Sequence, residues 1–199
     1  GEVSGIVHSI AYANPKTCLG QEFHTDAIED LKLSFHISAV SLATVARHAV
    51  QAMPHGGGIA ALTFDSEKAY PAYNWMGVNK AALEATVRGL ARRHGKDLIR
   101  VNAVSAGPLY TKAASAIPGF SELDHMWQES SPIPWDPRND KVEVANAVAF
   151  LIGPYSKKIT GQVLHVDGGV SIIGSKLMPW ERRETTPPAT ARSQSRTIR

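Results

Sequence analysis

The residues best suited to chemistry lie in one short run, Tyr73-Asn74-Trp75-Met76-Gly77-Val78-Asn79-Lys80. Tyr73 and Lys80 stand seven positions apart, close to two turns of an α-helix, so a helix through this run presents both on one face. An ammonium beside a phenol favours the phenolate and lowers the tyrosine pKa. Such a pair can donate a hydrogen bond, or a proton, to a carbonyl oxygen that is gaining charge. Taken in isolation, the same two residues also read as a core aromatic and a surface lysine. Other candidates are weaker. His8, His24, His36, His48, His55, His94, His125 and His165 are scattered without a local ligand cluster, so no metal is expected. Ser41 and Ser105 lack any G-x-S-x-G context. Asp167-Gly168-Gly169 reads most simply as the turn ending a strand.

Positioning such a pair requires a scaffold, and the chain alternates two patterns that supply one. Short β-branched runs at Val3–His8, Gly58–Thr63, Ile99–Ser105 and Gln162–Val166 read as buried parallel strands. Amphipathic segments lie between them. One covers about Asp26 to Gln51, with Leu31, Phe35, Leu42, Val45 and Ala49 inward. A second ends near Arg93, with a stripe of Leu83, Val87 and Leu90 and with Glu84, Arg88, Arg92 and Arg93 largely off it. A third runs from about Lys141 to Ile152, with Val144, Val148 and Leu151 inward. Gly56-Gly57-Gly58 and Gly95 punctuate the helix ends as caps. This order predicts an α/β fold, a doubly wound parallel sheet in three α/β/α layers. Ligands of such sheets bind beyond the carboxyl ends of the strands. The residues there are Ser9-Ile10-Ala11, Phe64-Asp65 and Ala106 to Thr111, and Tyr73 with Lys80 adjoins the second group. That placement favours the chemical reading of the pair.

Composition sets the outer limits. A chain of 199 residues, 43% hydrophobic and 20% charged, suits one globular domain and argues against disorder, a disulfide scaffold or a collagen repeat. No apolar run approaches the ~20 residues that span a bilayer, and the single Cys18 suits a reducing compartment. A cytoplasmic protein with neither membrane nor nucleic-acid partner is expected. The net charge is +3 and the pI about 9.0. Residues 175–199 alone hold +4, which leaves residues 1–174 at −1. The basicity therefore belongs to a Pro-, Ser- and Arg-rich tail, read as disordered beyond about Pro179.

With these residues in view, the sequence resembles the NADH-dependent enoyl-acyl-carrier-protein reductases, a branch of the short-chain dehydrogenase/reductase superfamily with a Rossmann-like fold. In most of that superfamily three residues separate the tyrosine from the lysine. Here Met76 stands at that position, and the wider Tyr73–Lys80 spacing within PAYNWMGVNKAALEA is the mark of the enoyl reductase branch. VHSIAYA at Val7–Ala13, HISAVS at His36–Ser41, RVNAVSAGPLYTKAA at Arg100–Ala114 and ITGQVLHVDGG at Ile159–Gly169 extend the match. The FD-x5-PAYNWM stretch is most similar to the mycobacterial type, which carries Phe where other members have Tyr, here Phe64.

The resemblance implies roles. Tyr73 and Lys80 would be catalytic, with Phe64 and Met76 positioning the substrate. Lys80 would also hydrogen-bond the nicotinamide ribose. Ser9, Ile10 and Ala11 would lie along NADH, Ile37 and Leu62 near its adenosine and ribose parts, Pro108 and Leu109 at the nicotinamide amide, and Thr111 at the pyrophosphate. The substrate would be an enoyl thioester on acyl carrier protein, and the intact assembly a homotetramer. The proline-punctuated stretch from 110 to 135 would be a flap over the crevice, with an irregular connection as the less favoured reading of its composition.

The run also lacks the opening strands and Gly-rich phosphate loop that such a fold calls for. The expectation is therefore the C-terminal part, residues 1–174, of one reductase domain, short by on the order of 80 residues. Activity of this chain by itself would be impaired. Two alternatives remain open, a related reductase acting on a ketone or enone, and a non-catalytic fragment that associates with a full-length homologue.

Overall fold

Strand pairing was followed in a computed structural model that describes residues 1–112 and 114–182. Four strands, β1 (Gly5–His8), β2 (Gly57–Thr63), β3 (Ile99–Ala106) and β4 (Val163–Val166), form one parallel sheet in that order. Parallel neighbours require crossovers, and helices supply them. Between β1 and β2 run α1 (Ile28–Phe35), a π turn (His36–Val40) and α2 (Ser41–Gln51). α3 (Asn74–His94) joins β2 to β3, and α4 (Phe120–Ser130) with α5 (Lys141–Ile152) joins β3 to β4. The register pairs His8 with Ala61, Thr63 with Ser105, and Ala106 with Val166, so the carboxyl ends lie side by side.

Successive strand residues face opposite sides, and both sides are covered. Ile59 and Ala61 pack with Leu42, Ala46 and Ala49 of α2 and Leu83 and Val87 of α3. Ala60 and Leu62 pack with Val144, Val148 and Leu151 of α5. The result is the three-layer, Rossmann-like α/β architecture that the alternating pattern predicts.

Three local expectations change. The long segment expected over about Asp26–Gln51 is helical from Ile28 but is interrupted by the π turn, where the Ser41 N–H bonds His36 O five residues back. The buried stripe there runs through Ser34, Ser38, Leu42 and Ala46. Phe35, expected inward, is 45% exposed. Gly95 is no left-handed cap, because its φ is −59°, and Leu98 takes the positive φ of 57° instead. Glu84, expected off the buried stripe, is buried for a reason that concerns the site. The beginning of the basic tail is tied down, since Lys176 pairs with Glu129 of α4 and the Leu177 N–H bonds Glu129 O. Those contacts precede Pro179, and the disorder expected beyond it falls mainly on residues 183–199, outside the described residues.

At the amino end of the sheet, β2 passes close to the end of α5. A Cβ on Gly58 would sit 2.6 Å from Ile152 Cα, so glycine permits the approach. Beside it the Arg100 guanidinium collects the carbonyls that end α5. It donates to Leu151 O (2.5 Å), Ile152 O (3.2 Å), Gly153 O (2.9 Å) and Ser156. Those carbonyls have no partner within the helix. Arg100→Met is expected to lower stability by about 2–4 kcal/mol, measured by urea unfolding. A loss within error of zero would show that water serves those carbonyls equally well.

Candidate active site

At the opposite, carboxyl edge, the chain leaves β2 at Phe64 and makes a strained turn into α3. Ala72 and Asn74 have φ of 63° and 34°, values that L residues adopt at a cost. Tyr73, between them, is the residue that opens α3. The turn is held from outside. The Asn74 amide donates to Gly20 O (2.7 Å) and Glu22 O (3.1 Å), and the Trp75 indole donates to Phe23 O at 2.8 Å while stacking on the Phe23 ring.

Tyr73 is buried, its ring 4.8 Å from that of Phe64. Met76 joins both in the same apolar cluster, one helical turn on. Two further aromatics complete the group. Tyr70 packs on Phe64 at 4.8 Å and donates its hydroxyl to Asp65 Oδ2 at 2.6 Å. Trp127 of α4 lies 5.4 Å from Phe64 and 5.5 Å from Tyr70. Sequence reading did not find Tyr70, and treated Trp127 only as part of a flap. Here Trp127 is fully buried, and its indole donates to Asp167 O (3.0 Å), the residue that follows β4. Trp135 likewise donates to Pro108 O (2.8 Å) beyond β3. Between them a Cβ on Gly107 would come within 2.8 Å of both indoles, so only glycine fits beneath this roof. The segment expected as a flap thus contains a helix fastened to the ends of two strands.

Burial reverses the expected electrostatics of Tyr73. Desolvation pushes its phenol above the ordinary tyrosine value, and Lys80 contributes no compensating pull. A phenol that keeps its proton is a hydrogen-bond donor, so the chemistry read from the pair survives while its supposed cause does not. Lys80 is itself buried, and its Nζ donates to Leu62 O at 2.9 Å. Desolvation brings its pKa down to about 8, against an opposing pull from Glu84. On the neighbouring strand His8 is sealed from solvent, with Nε2 2.8 Å from Ser41 Oγ. Ser41 spends its hydroxyl proton on Ile37 O (2.6 Å), so His8 Nε2 must be the donor and Nδ1 carries a lone pair. That Nδ1 has no partner among the described residues. Burial first, and Lys80 second, hold the imidazole neutral.

The residues expected along a dinucleotide fall at three adjacent strand ends. Ser9, Ile10 and Ala11 follow β1 and are exposed. Leu62 is the last residue but one of β2, and Pro108, Leu109 and Thr111 follow β3, where Thr111 is exposed and its hydroxyl accepts the Ala114 N–H. Ile37 lies in the π turn, half-buried, and its carbonyl accepts the Ser41 hydroxyl that faces His8 at the end of β1. A network missed by the sequence reading fixes the loop after β1. The Asn79 amide donates to Ser34 Oγ (2.6 Å), Ser34 Oγ donates to Tyr12 O (2.8 Å), and Ser38 Oγ both donates to Tyr12 O and accepts the Tyr12 N–H. These residues fit the nicotinamide-ribose end of a dinucleotide. Lys80 has three N–H donors and one hydrogen bond in this structure, and the adjoining loops are open. On the other side of Tyr73, a groove of about 420 Å³ lies between the Ser66–Tyr70 loop and the first turns of α3, lined also by Gly77 and Val78. Among the described residues no cluster of His, Cys, Asp and Glu could hold a metal ion. No helix there is long and apolar enough to cross a membrane.

The buried ammonium has a measurable signature. Between pH 8 and 10.5 the unfolded chain keeps the Lys80 proton and the folded chain releases it, so stability rises with pH in that window. Lys80→Met removes this dependence. It is expected to be the more stable protein at pH 7, by up to about 3 kcal/mol, with the gap closing toward pH 10 in urea melts. A gap independent of pH would place the lysine in water.

The comparisons with known proteins agree with this geometry. The profile of the family described as Enoyl-(Acyl carrier protein) reductase matches residues 1–171. The NADPH-dependent enoyl-[acyl-carrier-protein] reductase FabI of Staphylococcus aureus is 42% identical over 175 residues, covering 87% of this chain and 67% of that protein. The NADH-dependent FabI of Rickettsia prowazekii is 42% identical over 85% of this chain and 64% of its own length. The NADH-dependent enzyme of Mycolicibacterium smegmatis is 39% identical over 85% and 66%. The chain spans about two thirds of the length of these relatives. The crystal structure of the Bacillus cereus enoyl-acyl carrier protein reductase, with NADP+ and an indole naphthyridinone, superposes with a TM-score of 0.81 at 38% identity, over 88% of this chain and 67% of that one. Sequence, fold and the placement of the tyrosine and lysine thus lead to one conclusion: this chain belongs to the enoyl-acyl-carrier-protein reductase family.

Proposed function

We propose that the protein reduces the trans-2 double bond of enoyl thioesters carried on acyl carrier protein, using NADH, as a cytoplasmic step of fatty-acid synthesis. The observation that carries this reading is the protonated, buried Tyr73 set against Phe64 at the end of β2, with Lys80 two turns along the same helix. Lys80 would hold the ribose hydroxyls. Ser9, Ile10, Ala11, Ile37, Leu62, Pro108, Leu109 and Thr111 would line the rest of the dinucleotide. When bound, the dinucleotide supplies a hydride for carbon 3 of the enoyl group.

The chain's own residues do the rest. The Tyr73 hydroxyl donates to the thioester carbonyl oxygen and stabilises the negative charge that collects there as carbon 3 is reduced. A proton from the Tyr73 hydroxyl or from water, delivered to carbon 2, then leaves the saturated acyl group. Phe64 has no proton to give and acts by shape, closing one wall beside the carbonyl, with Met76 behind it. Tyr70 and Trp127 pack on Phe64 and keep the surroundings of Tyr73 apolar, which strengthens its hydrogen bond. Assembly as a homotetramer belongs to the same reading. Leu33 and Phe35 on α1 are apolar and exposed, as an interface between copies requires.

The test is enoyl-dependent oxidation of NADH, and in parallel NADPH, by the purified protein across a panel of enoyl thioesters, ketones and enones. Turnover is expected with the thioesters, at an impaired rate in this chain by itself, and Tyr73→Phe should slow it by a further ~10²-fold, mainly in kcat. Faster consumption of a ketone, or an undiminished rate in Tyr73→Phe, defeats the proposal. Failure of every substrate would favour a non-catalytic partner of a longer homologue.

A further inference from the structure

Glu84 is a charged group at the site for which the reading above has no use. It lies one turn beyond Lys80 on α3 and is only 7% exposed. Its Oε1 accepts the Thr63 hydroxyl at 2.8 Å, and its Oε2 accepts the Ser66 hydroxyl at 2.6 Å. Lys80 meanwhile donates to Leu62 O. One turn of α3 therefore grips the end of β2 at residues 62, 63 and 66, and the two residues left between those anchors are Phe64 and Asp65. Two hydroxyls do not neutralise a buried carboxylate, which needs a nearby positive charge. The charged neighbour that acts on Lys80 is Glu84 on its own helix, and Lys80 in turn helps keep His8 on β1 neutral.

We propose that Glu84 is a positioning residue of the site, fixing the Phe64-bearing turn to α3 and supplying the counter-charge of the Lys80 ammonium. The kinetic consequence rests on the reductase reading, whereas the consequence for Lys80 does not.

Two variants separate the two tasks. Glu84→Gln removes the charge and keeps the shape. Thr63→Val combined with Ser66→Ala removes the tethers and keeps the charge. The titration of Lys80, followed by NMR of 13Cε-labelled lysine in the protein without dinucleotide, is expected to fall by about one unit in Glu84→Gln and to stay near 8 in the double variant. At pH 8 that shift cuts the charged fraction of Lys80 from about half to about a tenth. The ratio of kcat/KM at pH 8 to that at pH 6.5 should then drop about fourfold. The double variant should instead lose kcat severalfold with its pH profile unmoved. An unshifted Lys80 titration in Glu84→Gln overturns the counter-charge, and an unaltered kcat in the double variant overturns the positioning. Absence of enoyl turnover in the unmodified protein would sink the reductase reading, while the Lys80 titration still decides whether Glu84 is its counter-charge. Should Glu84→Gln fail to fold, the double variant decides the positioning by itself.

Discussion

Burying one ammonium group beneath the carboxyl edge of the sheet sets the conditions for the rest of the site. Lys80 is out of water with one carbonyl as its hydrogen-bonded partner, and an ion so placed is tolerated only where its surroundings return part of the lost hydration. The end of β2 returns some of it through Leu62 O. The same turn of α3 contributes a carboxylate. The neighbouring strand must not add a second cation, and His8 is held neutral behind it. Three elements that never touch in sequence are thereby matched to a single charge. Tyr73 is governed by the same dryness in the opposite sense, since burial preserves its proton.

Much of this arrangement is legible in the chain before folding, and the legible part is local. The β-branched runs locate the four strands to within two residues of their starts, and the stripe of Val144, Val148 and Leu151 identifies the buried face of α5. Tyr73 and Lys80 announce themselves because helical spacing alone brings them to one face. What escapes is whatever depends on distant partners. Glu84 looks like a solvent residue beside Arg88, because the hydroxyls that hold it lie 18 and 21 positions upstream. Tyr70 gains its place only when α4 brings Trp127 across it. The expected depression of the Tyr73 pKa failed for a related reason. Spacing identifies a neighbouring charge, but the depth of burial that outweighs it is a property of the whole fold.

The roof ties the aromatic wall beside Tyr73 to the stability of the scaffold. Trp127 and Trp135 each place an indole N–H on a backbone carbonyl beyond a strand end, a satisfied polar contact that lets a large ring be buried without penalty. Because the rings also rest on Gly107 and Phe64, the loops after β3 and β4 and the aromatic wall beside Tyr73 hold one another in place. A change intended to widen the wall would loosen two strand ends as well.

The π turn at His36–Val40 has a consequence for insertions and deletions. Ser34, Ser38, Leu42 and Ala46 are buried at strict intervals of four. In an unbroken α-helix, twelve residues overshoot three full turns by roughly 120°, which would carry Ala46 well away from the line of Ser34. The wide turn absorbs that excess, so the serines that hold Tyr12 and the apolar residues that cover the sheet share one line. Losing a single residue there would rotate everything beyond it by about 100° and part the loop after β1 from the hydrophobic face. This helix therefore behaves as two registers joined by one supernumerary residue, and its length is constrained where its surface composition is free to drift.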